Sequence, residues 1–339
     1  LKPNSINKRQ RVIQRTINNK NKNKSKPTTT QIVPIYTSSE QRTKIAIIQT
    51  GSWGDNINST LMFKPIKQAY PNCILDIHTS TYYSSAFHNN PYIDNLIEYE
   101  AYTKESALHL TLTIRDTLVG RGYDIIFSPH PMFNHAHWNS IKHPELGDNL
   151  ICAWIRSLEH TNISYDWPLE TILRLTQDEI NKVNNFINKI PDFKTRRKNI
   201  MEIRGESGQT FWNNNWTDTI VNKLCSHGEI VFISHKTGVK ELENKYTNLC
   251  FNVNHLSIRE CAELYNHCDR FFSVSSGLSN ACNTNWCKHN IEWIEVTNSP
   301  AVTSAPIRTV GKTFWHEDNL EAFTKMLDTR LNYAHNTIQ

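Results

Sequence analysis

At 339 residues, 38% hydrophobic, with a net charge of +5, the chain is long enough for two ordinary domains with separate cores and has a soluble globular profile. No run approaches the ~20 apolar residues that a membrane-spanning helix needs, so a transmembrane role is not expected. The charge is uneven: residues 1–30 carry nine basic and no acidic side chains, which leaves −4 for the remainder.

Only Val12-Ile13 interrupts the polarity of that basic segment, so it reads as neither a secretory leader nor an anchor, and a cytoplasmic location is expected. A basic, Asn-rich stretch buries too little apolar surface to offset its ordering entropy. Residues 1–39 are therefore predicted to be a mobile tail, either a solubilising extension or a contact for nucleic acid or an anionic surface such as the inner membrane face. Eight cysteines (Cys73, Cys152, Cys225, Cys250, Cys261, Cys268, Cys282 and Cys287) include no Cys-x-x-Cys pair and are expected to be reduced core thiols.

Residues 44–49 read as a buried parallel strand and 58–68 as a helix kinked or shortened by Pro65. Strand 73–78, a short helix at 84–89 and strand 95–99 follow. A helix over 106–121, stopped by Gly120 and Gly122, leads to a fourth strand at 123–128. Residues 129–165 hold a His-rich stretch and a helix near 150–158, and 166–174 read as an extended crossing segment. Thr176 and Glu179 start a helix that runs to residue 190.

The alternation then resumes with strand 199–203, helix 216–226, strand 229–234 and a short strand near 249–251. Ser257 and Glu260 form a capping-box pattern for a helix to 267. Strand 270–274, helix 279–287, strand 291–296 and a closing helix 317–333 complete the chain. This β-α-β order predicts an α/β protein of two doubly wound, Rossmann-like domains, 40–165 and 166–315, with a closing segment 316–339.

Two turns stand directly after apolar strands. The first, Gly51-Ser52-Trp53-Gly54-Asp55-Asn56, fits neither G-x-G-x-x-G nor a P-loop, but puts Asp55 at the mouth of a helix. A carboxylate there can take a proton from a substrate hydroxyl, or it can simply cap the helix. The second, Ser275-Ser276-Gly277-Leu278-Ser279-Asn280, offers hydroxyls and backbone N–H groups that suit a diphosphate, or is a tight turn that needs small residues.

In order and spacing, most of 44–300 resembles the heptosyltransferase-like family of glycosyltransferases. The likeness is carried by the first strand with Gly54-Asp55 and Lys64-Pro65-Ile66-Lys67, by Tyr70-Pro71-Asn72-Cys73-Ile74-Leu75, by Asn90-Pro91-Tyr92, and by Leu256-Ser257-Ile258-Arg259-Glu260 with Ser275-Ser276-Gly277. The resemblance implies a GT-B fold with the two domains facing a central cleft, a nucleotide sugar held mainly by the second domain, and inverting, metal-independent transfer with no cofactor besides the donor substrate. It makes Asp55 the base and Ser276-Gly277 the diphosphate turn. Arg204-Gly205-Glu206-Ser207-Gly208 matches the loop after the first strand of the second domain. Ser275 stands where the family usually has an acid, Asn280 near its usual histidine, and Phe211-Trp212 replaces a basic residue before tryptophan. Arg204 is then the compensating cation, and ADP-heptose is not assumed as the donor.

The expected activity is sugar transfer to an acceptor hydroxyl of a glycan, lipid-linked glycan or lipopolysaccharide precursor. Alternatives are transfer to modified DNA or protein, sugar-nucleotide epimerisation, and a non-catalytic anion- or nucleic-acid-binding protein. Gly51, Ser52, Trp53, Gly54 and Asn56 fall on the acceptor side, with His130 and His135 as a loop lining the acceptor cleft. His135 and His137 share a face only on a strand, and no Cys or carboxylate lies at zinc-site spacing, so no metal is expected. Trp212, Trp216, Trp286, Trp293 and Trp315 are expected in the core, Trp212 being the one placed to serve as a sugar platform.

Overall fold

The computed structural model describes residues 42–101, 103–128, 142, 151–202, 212–234, 239–297, 312–315 and 317–336. The predicted tail, His130, His135, Arg204, Glu206 and Ser207 lie outside the described residues. From Arg42 onward the chain forms one compact unit that contains two parallel sheets.

The first sheet has the order β3-β2-β1-β4, with β1 Lys44–Ile48, β2 Ile74–Ser80, β3 Asn95–Tyr99 and β4 Ile125–Phe127. Beyond Lys44, every β1 residue is buried, because helices cover both faces and the strand needs no polar side. The helix expected over 58–68 begins earlier, as α1 Trp53–Ser59, and passes through a 3-10 turn Thr60–Met62 into α2 Phe63–Ala69. Pro65 sits in the first turn of α2, where a missing N–H costs no intrahelical bond. α3 Lys104–Leu118 opens with a Thr103/Ser106 capping box and packs Ile114 and Leu118 on Ala46 and Ile48. α2 and α4 Cys152–His160 cover the other face, placing Phe63, Ile66, Trp154 and Ile155 against Ile45, Ile47 and Ile77.

The second sheet has the order β10-β9-β8-β5-β6-β7, with β5 Lys198–Glu202, β6 Ile230–Ser234, β7 Cys250–Asn252, β8 Arg270–Ser273, β9 Glu292–Val296 and β10 Lys312–Trp315. α5 Gln177–Ile187 starts at the Thr176/Glu179 capping box. α6 Asn214–Ser226 and α7 Lys240–Lys245 follow, α7 and β10 being elements that the sequence pattern does not announce. α8 Ile258–Tyr265 starts at the Ser257/Glu260 box, and α9 Gly277–Cys282 at Ser276/Ser279. α10 Leu320–Asn336 closes the described chain and packs with α6 on Met201, Val231, Phe272 and Ile294.

α9 stops earlier than the expected residue 287 because Asn285 leaves the helix to serve the crossing segment. Its N–H donates to Thr171 O (3.0 Å), and its Oδ1 accepts from Leu173 N (3.2 Å). The opposite face of the second sheet joins elements of the first half: Trp53, Ile57, Tyr83 and Ala86 share one apolar cluster with Leu256, Phe271, Leu278 and Ala281. All eight cysteines are buried and none is in a disulfide, as expected of core thiols. Each sheet grows outward from its first strand in both directions, so strand order reverses between β1 and β4 and between β5 and β8. Carboxyl edges at such reversals are where doubly wound sheets bind ligands.

Candidate functional site

The two turns singled out in the sequence meet. A Cβ built on Gly277 would lie 3.6 Å from Trp53 Cβ and 3.8 Å from Gly54 N. Asn280 bridges them: its Oδ1 accepts from Asn58 Nδ2 (3.1 Å), and its Nδ2 donates to Ser276 O (2.8 Å). Gly54, Ser276, Gly277 and Asn280 thus form one contact between the start of α1 and the start of α9.

Asp55 lies in the first turn of α1, but Ser52 is the cap residue. The Ser52 hydroxyl donates to Asp55 Oδ2 at 2.7 Å, and Oδ1 has no partner among the described residues. One carboxylate oxygen is therefore anchored and the other is free, which suits a proton acceptor better than a cap. Trp53 donates from Nε1 to Ser85 Oγ (3.0 Å), fixing the start of α1 to the 3-10 turn Ser84–Phe87.

On the second sheet, Ser276 caps α9 and accepts from Ser279 N at 3.1 Å. The Ser276 hydroxyl donates to Glu202 Oε2, across the reversal between β5 and β8. Burial pushes the Glu202 carboxyl up to about 8, opposed by hydrogen bonds from Ser276 and the Ser279 backbone and reinforced by the nearby Glu295. Sequence reasoning missed Glu202, since a glutamate ending a strand looks like any rim carboxylate. Its one signal was position: it closes the first strand of the second half, as Ile48 closes that of the first.

Among the described residues, polar groups at the carboxyl edge of the first sheet have no partners. Gln49 is fully buried, and neither its Nε2 nor its Oε1 makes a hydrogen bond. Asn56 is also fully buried; its Nδ2 donates to Thr79 Oγ1 (3.2 Å) and Tyr83 O (3.3 Å) while Oδ1 is unpaired. Each such group costs about 1–3 kcal/mol.

Arg259, 3% exposed, ties the two halves together. It donates to Glu179 Oε1 and Oε2 (2.6 and 3.0 Å), Arg174 O (2.5 Å), Ser85 O (3.0 Å) and His88 O (3.3 Å). Trp212 packs on Trp216 and Phe323 and donates to Thr217 Oγ1, so it belongs to the core and is no sugar platform. Among the described residues no group of three or more His, Cys, Asp or Glu could hold a metal ion. No described helix is long and apolar enough to cross a membrane.

No protein-family model matches this chain, and no curated protein sequence matches it. Solved structures do. Over 86% of this chain and 99% of the other, the structure resembles Escherichia coli ADP-heptose lipopolysaccharide heptosyltransferase II, with a TM-score of 0.59 at 13% identity. A glycosyl transferase family 9 protein from Veillonella parvula matches over 87% and 93% of the two chains, with a TM-score of 0.58 at 11% identity. The E. coli heptosyltransferase WaaC with ADP-2-deoxy-2-fluoro heptose matches over 85% and 99%, with a TM-score of 0.52 at 13% identity. The fold is GT-B. At these identities the likeness is one of fold, and the chemistry of this GT-B chain must be argued from its own residues.

Proposed function

We propose that this GT-B protein is an inverting glycosyltransferase that moves a sugar from a nucleotide-sugar donor to an acceptor hydroxyl. The observation that carries the reading is the contact between the Asp55 turn and the Ser276-Gly277 turn, which sets a base beside a diphosphate-suited edge. The fold likeness to heptosyltransferases, one of them solved with an ADP-sugar analogue, supports it.

In this reading Asp55 Oδ1 takes the proton from the acceptor hydroxyl, while Ser52 holds the other oxygen and with it the carboxylate orientation. The hydroxyl oxygen attacks the anomeric carbon from the side opposite the diphosphate, and the carbon–oxygen bond to the diphosphate breaks, so the centre inverts. Ser275, Ser276, Gly277, Leu278, Ser279 and Asn280 form the donor side, and Arg204, with Glu206 and Ser207 in its loop, meets the charge that develops on the leaving group. Those roles need no metal. Gly51, Trp53, Gly54 and Asn56 lie on the acceptor side, together with His130 and His135, and the acceptor is a glycan or lipid-linked glycan.

Calorimetric titration of ADP, GDP, UDP and CMP in the presence of a chelator tests the donor side. Micromolar binding of one nucleotide is expected. No binding of any of them would remove the assignment at Ser276-Gly277.

A further inference from the structure

The amino edge of the second sheet, the end away from the Ser276-Gly277 turn, holds a cavity of about 410 Å³. Arg197, Asn199, Asp269, Arg270, Lys288 and Glu292 line it, at the starts of β5, β8 and β9 and in the loop after α9. Arg270 opens β8 and Ser273 ends it, a rise of about 10 Å, so this cavity and the candidate donor edge are separate places.

Arg270 is only 2% exposed. Its Nε donates to Glu292 Oε2 (2.8 Å), and its Nη1 to Asn199 Oδ1 (3.0 Å) and Glu229 Oε2 (3.1 Å), while Nη2 finds no acceptor among the described residues. The neighbouring carboxylates have other partners as well. Glu292 also takes Arg330 Nη1 (2.5 Å), and Asp269 takes the Lys198 backbone N–H (2.8 Å) and sits 3.2 Å from Lys198 Nζ.

Arg197 and Lys288 stand differently. In the basic run Arg196-Arg197-Lys198, Arg196 bonds Gly228 O and Asp192, and Lys198 holds Asp269. The half-buried Arg197 between them has no side-chain partner among the described residues. Lys288 fixes its loop through its backbone N–H, which donates to Asn266 Oδ1 (2.8 Å), and its exposed ammonium pairs with no described residue. Around the cavity, then, the five cations Arg197, Lys198, Arg270, Lys288 and Arg330 meet three carboxylates, Glu229, Asp269 and Glu292, a surplus of two.

We propose that this cavity binds a small organic phosphomonoester, its phosphate held by Arg197, Lys288 and the Nη2 of Arg270. A phosphomonoester carries about −1.5 to −2 charges at neutral pH, which matches the surplus, and offers three acceptor oxygens to the three open donors. A guanidinium fork meets such oxygens in pairs, and the buried network around Arg270 holds one of the two forks in place before the ligand arrives. A lone carboxylate would bring only half the charge. The volume leaves room for more than an inorganic ion, since small-molecule sites run from about 300 to 1,000 Å³. Ile291 and Asn290 complete the lining and give the organic part an apolar and an amide neighbour. Nothing in this site depends on sugar transfer, so it stands apart from the reading of Ser275 to Asn280 as the donor side.

The test is calorimetry of glycerol 3-phosphate, with glycerol as the uncharged control, against wild type and the double variant Arg197→Gln/Lys288→Gln at constant ionic strength. Neither side chain has a partner to lose, so the variant should unfold at the same temperature as wild type. Wild type should bind the ester with a Kd below about 1 mM and the variant at least about tenfold more weakly, with no binding of glycerol by either. ADP titrated into both proteins separates the two places: its affinity should agree within about twofold between them. No binding of the ester by wild type, or equal binding by both proteins, overturns the proposal. So does an ADP affinity that falls in step with that of the ester, since the two ligands would then share one site.

Discussion

Gly54 and Asn280 are so close that a Cβ on Gly54 would stand 2.6 Å from Asn280 Nδ2. Helix propensity alone would make Gly54→Ala favourable by up to ~1 kcal/mol. The clash reverses the sign, because Asn280 can retreat only by giving up its bonds to Asn58 and Ser276. Gly54→Ala should cost about 1–3 kcal/mol in urea unfolding, and Asn280→Ala in the same chain should recover most of the added loss. Strictly additive costs would show that this contact is not the cause.

Asp55→Asn isolates the base. The amide oxygen still accepts from the Ser52 hydroxyl, so the turn keeps its shape while the proton acceptor is lost. Turnover should fall by about 10²–10⁴ and nucleotide affinity should hold within about twofold. Turnover within about threefold of wild type would remove Asp55 from the chemistry.

Arg259 reaches across the two halves with its hydrogen bonds to Ser85 O and His88 O, while its ion pair with Glu179 lies within the second half. Burial alone would raise the Glu179 carboxyl, yet the hydrogen bonds from Arg259 and Thr176 outweigh it and hold the group below the usual range. Arg259→Lys keeps the charge but not the fork that reaches Glu179, Arg174, Ser85 and His88 together. It should cost about 3 kcal/mol, and Arg259→Met should cost more, because it leaves the half-buried Glu179 without its cation. Loss below about 1 kcal/mol in both variants would show that the lobes are held by the shared apolar cluster alone.

The parts of this molecule legible in sequence are those set by neighbours in the chain. The apolar run at 44–48 needed both faces covered, and the pairs Thr176/Glu179 and Ser257/Glu260 mark helix starts that the structure reproduces bond for bond. The two turns were legible for the same reason, since strand, small residues and helix follow one another. What was not legible depends on long-range meetings. Arg259 finds Ser85 at a separation of 174 residues, and Glu202 finds Ser276 at 74. Nothing local distinguishes either side chain from a solvated charge. The end of α9 was misplaced for a related reason: Asn285 is drawn out by Thr171 and Leu173, which no helical period can show.

A buried histidine under α3 sets the acid limit of the fold. His78 is 3% exposed, with Nδ1 2.9 Å from Tyr99 OH and Nε2 3.0 Å from Tyr123 OH, and Tyr123 donates to Asp76 Oδ2 at 2.7 Å. Burial lowers its pKa to about 4; Asp76 opposes the shift and Lys44 adds to it. In the unfolded chain the imidazole titrates near 6.5, so as pH falls from about 6.5 to about 4 the unfolded state binds a proton that the folded state refuses. Stability should therefore drop across that window, by about 2 kcal/mol at about pH 5. The depressed carboxylates Asp94, Glu179, Glu263 and Glu292 lose their contributions lower, as pH falls below their ordinary values of 3.8 for Asp and 4.5 for Glu, so the two effects separate in pH. Urea unfolding at a series of pH values checks this with His78→Gln, which cannot titrate. The variant should be less stable than wild type at neutral pH, with a shallower slope between about pH 6.5 and 5, where only His289, also lowered by burial, still contributes. A slope there equal to that of wild type would place the acid sensitivity elsewhere.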